Sequence, residues 1–139
     1  MLNLVSIASF GQIQIQKQNS YESRDVVGAV GWNYVATIIE SKVNGEVSYY
    51  LRTTTTNQFD GTFLLLLGYS EKEVVESINA LYQMAVSAKG DSFVIDAETT
   101  ASVVAKGTLY IKGKGYAGYA MLTKKQIEKF KKYYVEGGH

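Results

Sequence analysis

The chain has 139 residues, of which 46% are hydrophobic and 19% are charged, and its formal net charge is +1. This length and composition are typical of one globular domain that buries its own core, and they argue against a disordered protein. There is no cysteine, and the single histidine is residue 139. Disulfides, thiolate chemistry and histidine-based catalytic or metal sites are therefore excluded.

The first residues lack the basic and long apolar regions of a signal peptide, and no apolar run approaches the ~20 residues of a membrane span. We therefore expect a cytoplasmic, intracellular protein with no membrane partner. Residues 1–139 are predicted to form a single domain, apart from the tail 137–139, which resembles the start of a purification tag.

Strand patterns dominate the first half of the chain. Residues 11–18 alternate polar and apolar side chains and predict a strand, whereas residues 19–25 are predicted to form a polar loop. Two β-branched and aromatic runs, 34–43 and 46–54, flank Asn44-Gly45. Because this dipeptide favours a type I′ turn, the two runs predict a hairpin.

A continuous apolar run, residues 61–67, follows the hairpin. It predicts a strand that is either covered on both faces or lies at an interface. Ser70 and Glu73 then form a capping box, and the apolar spacing behind them predicts an amphipathic helix that ends before Gly90.

The second half predicts the same plan. The expected elements are short strands over residues 92–97, 101–105 and 108–112, and a helix that begins at the capping box formed by Thr123 and Gln126. The apolar stripe of that helix comprises Ile127, Phe130 and Tyr134.

Two pairs of segments match between the halves. Ser48-Tyr-Tyr-Leu-Arg52 resembles Thr108-Leu-Tyr-Ile-Lys112, and the two capping boxes resemble each other. We predict an α+β fold of antiparallel sheets and two helices, in which a unit of several strands and one helix is duplicated in halves of about 1–90 and 91–136. Shared strand and helix propensity is the alternative explanation.

Residues Gly113-Lys-Gly-Tyr-Ala-Gly118 match the dinucleotide-binding pattern G-x-G-x-x-G. That pattern works only when a helix follows the third glycine directly, because the helix N-terminus faces the pyrophosphate. Here Tyr119-Ala-Met-Leu122 is strand-like instead. We therefore interpret the glycines as a bend or a close backbone approach, and we expect no cofactor.

Positive charge is concentrated between residues 106 and 132, where eight lysines accompany one glutamate. Lysines neutralise phosphates and tyrosines stack on unpaired bases, and in an extended strand alternate residues share one face. The predicted nucleic-acid-binding residues on such faces are Tyr110, Lys112, Lys114 and Tyr116 in the second half, and Tyr50 and Arg52 in the first. The alternative is an ordinary solvated strand face.

Other chemistry has little support in the sequence. Asp96 and Glu98 could contact a divalent ion, but paired carboxylates on a strand are more typical of a surface, so we expect no metal site. Trp32 is interpreted as a core anchor or a stacking residue. We identify no catalytic residues and expect a protein that is not an enzyme.

The segment Tyr119-Ala-Met-Leu-Thr-Lys-Lys-Gln-Ile127 and its counterpart Leu66-Leu-Gly-Tyr-Ser-Glu-Lys-Glu-Val74 each join a short strand to a capped amphipathic helix. This order resembles the transcriptional positive-coactivator and Whirly group of single-stranded DNA-binding proteins. The resemblance implies a curved sheet that carries basic and aromatic residues, and helices that pack into dimers or higher oligomers.

Two functions follow as predictions. The first is non-enzymatic binding of single-stranded DNA or RNA by a homo-oligomer, through the lysine and tyrosine faces. The alternative is a small structural or protein-interaction domain, for example of viral or mobile-element origin, that self-associates through the apolar strand 63–67.

Overall fold

The computed structural model describes residues 7–10, 13–16, 21–30 and 35–134. Trp32 and the tail 137–139 lie outside the described residues. The first two strands, β1 (Ile7–Phe10) and β2 (Ile13–Gln16), pair with each other in an antiparallel ribbon, and β2 falls inside the strand predicted for residues 11–18.

A four-stranded antiparallel sheet and a helix follow as the first unit. Its elements are β3 (Tyr21–Val30), β4 (Val35–Val43), β5 (Glu46–Thr54), β6 (Thr62–Gly68) and α1 (Glu71–Ala85). Each strand pairs with the next one along the chain. Between β4 and β5, Asn44 and Gly45 both have positive φ angles, 53° and 83°. This confirms the hairpin predicted from that dipeptide.

The second unit repeats this order. Its elements are β7 (Ser92–Asp96), β8 (Thr99–Ala105), β9 (Thr108–Gly113), β10 (Ala120–Thr123) and α2 (Lys124–Tyr134). The strands again pair in chain order to form a four-stranded antiparallel sheet. The predicted α+β class, with antiparallel sheets and two helices, is confirmed. An ancestral duplication stays a prediction.

Both helices begin at their predicted capping residues. The Ser70 hydroxyl accepts a hydrogen bond from the Glu73 amide at 3.2 Å, ahead of α1. At α2 the capping box is reciprocal. The backbone amide of Gln126 donates to the Thr123 hydroxyl at 3.2 Å, and the backbone amide of Thr123 donates to the side-chain oxygen Oε1 of Gln126 at 2.9 Å. These contacts satisfy amides that the first turn of a helix leaves without partners.

One hydrophobic core joins the two units, because the helices pack together and against one face of each sheet. We call this the inner face of a sheet and the opposite side its outer face. The largest fully buried side chains are Phe63, Phe130, Ile38, Leu51, Ile78, Leu109, Ile111, Leu122 and Ile127. Those that lie on strands alternate with less buried residues, as the period of a half-covered strand requires.

The prediction of a polar loop over residues 19–25 is wrong from Tyr21 onwards, because Tyr21–Val30 forms the edge strand β3. Its charged residues are compatible with a strand since Arg24 pairs with Glu40 on β4 and Asp25 pairs with Arg52 on β5. Arg24 Nε lies 3.1 Å from Glu40 Oε1, and the Tyr49 hydroxyl donates to the same carboxylate at 3.1 Å. The hydrogen bond from Arg24 lowers the pKa of Glu40 despite the opposing effect of burial.

The apolar strand β6 is covered on one face only. Phe63, Leu65 and Leu67 are buried, whereas Leu64 and Leu66 keep 45% and 43% of their surface exposed. Coverage on both faces, the first of the two predicted alternatives, is therefore wrong for this chain. An interface at the outer leucines stays a prediction.

Candidate nucleic-acid interface

Strand β9 presents the predicted tyrosine and lysine on the outer face of the second sheet. Leu109 and Ile111 are fully buried on the inner face, and the residues between them alternate to the opposite side. Tyr110 and Lys112 are accordingly half-buried and open to solvent. The alternation inferred from the sequence is confirmed for this strand.

The alternation does not continue to Lys114 and Tyr116, so the prediction that both share the face of Tyr110 is wrong. The strand ends at Gly113, and Gly115 turns the chain with a φ of 89°. The Tyr116 ring lies 4.8 Å from the ring of Phe63, a core residue of the first unit. Lys114 is exposed, and its Nζ lies 3.9 Å from a Glu98 carboxylate oxygen.

Tyr119 takes the place that was predicted for Tyr116. Its ring stacks on that of Tyr110, with centroids 5.4 Å apart and planes inclined by 29°. Lys112 Nζ lies 6.0 Å from the centroid of the Tyr119 ring. Tyr119 is 43% exposed, so the pair offers aromatic surface to a ligand. We call Tyr110 and Tyr119 the tyrosine pair.

A shallow cleft of about 420 Å³ lies beside the tyrosine pair on strands β7, β8 and β9. Its volume falls in the range of roughly 300–1,000 Å³ that is usual for small-ligand sites. The cleft is lined by Ser92, Phe93, Val94, Thr100, Ala101, Ser102, Tyr110, Lys112 and Tyr119. Aromatic, cationic and hydroxyl groups therefore meet at one concave surface, which we call the β9 cleft.

Further lysines lie at the other end of β9. A second cleft of about 450 Å³ includes Thr108 in its wall, two residues before Tyr110. Lys106, Lys124 and Lys125 also line it, at the turn before β9 and the start of α2. Ala85 and Val86, at the end of α1, form another part of its wall, so this second cleft lies where the start of β9 borders the helices. Of the other α2 lysines, Lys131 lies with its Nζ 4.4 Å from the Tyr82 ring centroid.

The first sheet carries the matching residues in a different setting. Tyr50 and Arg52 lie on the third strand of their unit, as Tyr110 and Lys112 do, and on its outer face. Arg52, however, is held by an ion pair with Asp25 at 2.9 Å. Across on β6, Leu66 lies opposite Tyr50 and Leu64 opposite Arg52. The outer face of the first sheet is therefore charge-paired and apolar rather than basic and aromatic.

The three glycines of the G-x-G-x-x-G pattern each have a structural cause. A Cβ atom at Gly113 would lie 3.0 Å from the Tyr116 ring, and Gly115 has the positive φ that its turn requires. At Gly118 an added Cβ atom would lie only 2.5 Å from the backbone nitrogen of Asn57. As expected, β10 and not a helix follows the third glycine.

Two backbone amides in the loop between β9 and β10 donate hydrogen bonds to a carboxylate of the first unit. Asp60, between β5 and β6, accepts hydrogen bonds from the amides of Ala117 and Gly118, both at 2.8 Å. It also accepts one from the Thr55 hydroxyl. These bonds, that of Thr55 foremost, lower the pKa of Asp60. Asp60 was not predicted as part of this site, because it lies 58 residues before Gly118 and carries no local signal.

The two carboxylates considered for a divalent ion lie in the β7–β8 turn. Asp96 Oδ1 accepts the amide hydrogen of Glu98 at 2.8 Å, which is an ordinary turn contact. Among residues 7–10, 13–16, 21–30 and 35–134, no three histidine, cysteine, aspartate or glutamate side chains cluster in a way that could hold a metal ion.

Comparisons of the chain with protein-family models, with curated proteins and with solved structures found no match. Within the described part of the chain, neither helix combines the length and the apolar character needed to cross a membrane.

Proposed function

We propose that this protein binds single-stranded nucleic acid, without catalysing a reaction, on the outer face of its second sheet. The observation that carries the proposal is the tyrosine pair, with exposed Tyr119 and half-buried Tyr110, and Lys112 beside it at the rim of an open cleft. Tyr110 and Lys112 belong to the predicted site, and Tyr119 extends it.

The pattern of groups favours an unpaired strand over a duplex. An aromatic ring can stack only on a base whose own face is free, which a base inside a duplex is not. Lys112 lies beside the tyrosine pair, where it can neutralise a backbone phosphate, and Lys106, Lys124 and Lys125 add positive charge near the start of β9. The proposal agrees with the ligand class implied by the resemblance to the Whirly group.

Fluorescence anisotropy with a labelled single-stranded oligonucleotide tests this proposal at two salt concentrations. We expect affinity that falls steeply with salt, since each neutralised phosphate releases a counterion. Lys112→Ala should weaken binding and flatten the salt dependence by about 0.7 of a unit in log Kd against log salt. Lys72→Ala, which removes the same charge from exposed α1, is the matched control. No binding at low salt would refute the proposal.

A second candidate function, self-association, is favoured by the outer face of the first sheet. Leu64 and Leu66 are exposed there on an edge strand, and the neighbouring Arg52 is already paired with Asp25. A second copy of the chain could cover such a neutral, apolar surface with the same surface of its own. We expect light scattering to give a dimer or higher oligomer for the native chain and a monomer for Leu64→Ser with Leu66→Ser. A native monomer would refute this candidate.

A further inference from the structure

The β9 cleft holds hydroxyl groups that form no hydrogen bond within the described part of the chain. Ser92, Thr100 and Ser102 line it, and none of these hydroxyls makes a hydrogen bond to another of the described residues. The register places Ser102 directly opposite Tyr110 and Thr100 directly opposite Lys112. Thr100 and Ser102 therefore each lie about one strand spacing, roughly 4.8 Å, from a residue of the proposed nucleic-acid site.

We infer that the β9 cleft holds one unpaired base, which stacks on the tyrosine pair and directs its edge to Thr100 and Ser102. This inference rests on the proposed function and specifies how the same surface treats its ligand. The two hydroxyl-bearing residues are two positions apart on β8, or roughly 6.6 Å, so they bracket the edge of a base. The β9 cleft therefore distinguishes between bases through these two hydroxyl groups, in addition to attracting the charged backbone.

The chemistry of the hydroxyl groups supports a role in base selection. A hydroxyl can both donate and accept a hydrogen bond, so it can satisfy a base edge that would otherwise lose its water. Bases that differ in the position of their exocyclic groups satisfy the two hydroxyls unequally, and a group left without a partner costs binding free energy. Val94 forms an apolar wall beside Thr100, and its 78% exposure leaves the cleft open on that side.

The experiment compares four labelled single strands of equal length: poly-dT, poly-dC, poly-dA and an abasic strand with the same number of phosphates. The native chain should bind the abasic strand more weakly than all three others. Its affinities for the three base-containing strands should span about fivefold or more, the effect of one net hydrogen bond. The inference would be overturned if the abasic strand bound as tightly as the others, or if the affinities for the three base-containing strands differed by less than about twofold. Salt-dependent binding in that case would still support the proposed function.

Thr100→Val with Ser102→Ala separates hydrogen bonding from stacking. This variant should shrink the span between bases to less than about twofold and leave affinity for the abasic strand unchanged. A span that survives in the variant would arise from stacking alone and would contradict the inference. The control, Thr54→Val with Ser48→Ala, makes the same changes on the outer face of β5 and should retain the native span. If no strand binds the native chain at low salt, the proposed function fails together with the inference.

Discussion

The carboxylate of Asp60 binds the backbone amide of Gly118 at 2.8 Å, and this contact ties the first unit to the loop that precedes Tyr119. Thr56 forms two hydrogen bonds with the backbone of Tyr119, the residue after Gly118. The Thr56 amide donates to the Tyr119 carbonyl at 2.8 Å, and the Thr56 hydroxyl accepts from the Tyr119 amide at 3.0 Å. The loop between β5 and β6 therefore positions an aromatic ring of the proposed binding site.

Asp60→Asn should weaken single-strand binding although Asp60 does not line the β9 cleft. The amide side chain cannot accept hydrogen bonds at both of its ends, so one of the three contacts is lost and the Tyr119 loop loosens. We expect a several-fold loss of affinity and a Tm lower by a few degrees. Glu128→Gln removes the same charge from an exposed position on α2 and should change neither. Unchanged affinity with a lowered Tm would show that Asp60 supports the fold alone.

The contribution of Asp60 to stability should depend on pH in one direction. Its pKa is lowered in the folded chain, so the folded state binds the proton less tightly than the unfolded state does. The stabilisation is therefore fully present above the ordinary aspartate pKa, about 3.9, and is lost as pH falls below it towards the folded value.

Urea unfolding at pH 7, 5, 4 and 3 measures this dependence. The difference in unfolding free energy between the native chain and Asp60→Asn should be constant at pH 7 and 5 and shrink at pH 4 and 3. Taking the difference cancels the parallel effect of Glu40, whose pKa is also lowered. If the difference in unfolding free energy grew as the pH fell, the claim that hydrogen bonds stabilise the ionised Asp60 carboxylate would be contradicted.

Gly118→Ala should destabilise the fold because the added methyl group has no room. It would meet the Asn57 backbone nitrogen at 2.5 Å, so the backbone must shift, which we expect to cost about 2 kcal/mol or more. Gly28→Ala is the matched control, since its nearest neighbour is a Thr37 methyl carbon at an ordinary 3.8 Å. That variant should stay within about 0.5 kcal/mol of the native chain. Equal stability of the two variants in urea unfolding would refute the close-approach explanation.

Two tyrosines three residues apart should respond differently to the same substitution. Tyr119→Leu should lower affinity for a single strand by about fivefold or more with little change in stability, because base stacking contributes roughly 1–3 kcal/mol per base. Tyr116→Leu should lower stability by about 1 kcal/mol, since it removes the ring contact with Phe63. Anisotropy titration and urea unfolding of both variants measure this contrast, and the reverse pattern would place the binding face elsewhere.

Local signals explain what the sequence predicted well. The Asn44-Gly45 turn and the two capping boxes depend on residues within four positions of each other, and the structure confirms all three. Strand alternation placed Tyr110 and Lys112 correctly for the same reason. It failed at Lys114 and Tyr116 because alternation holds only as long as the strand continues.

Long-range contacts explain what the sequence did not reveal. The charged residues of β3 resemble a loop in the sequence, but Arg24 pairs with Glu40, sixteen positions later, and Asp25 pairs with Arg52. The stacking of Tyr119 on Tyr110 requires β9 and β10 to be paired, and the anchoring role of Asp60 requires the two units to be packed together. Neither requirement has a signature in a single stretch of sequence.

The most direct test of the proposed interface is a titration of the isotope-labelled protein with an unlabelled single-stranded oligonucleotide. The backbone amide chemical shifts are monitored in NMR spectra during the titration. We expect the largest changes at Ser102, Tyr110, Lys112 and Tyr119, and little change at Tyr50 and Arg52 on the charge-paired first sheet. Changes confined to the first sheet, or none at a concentration that saturates the anisotropy signal, would contradict binding at the outer face of the second sheet.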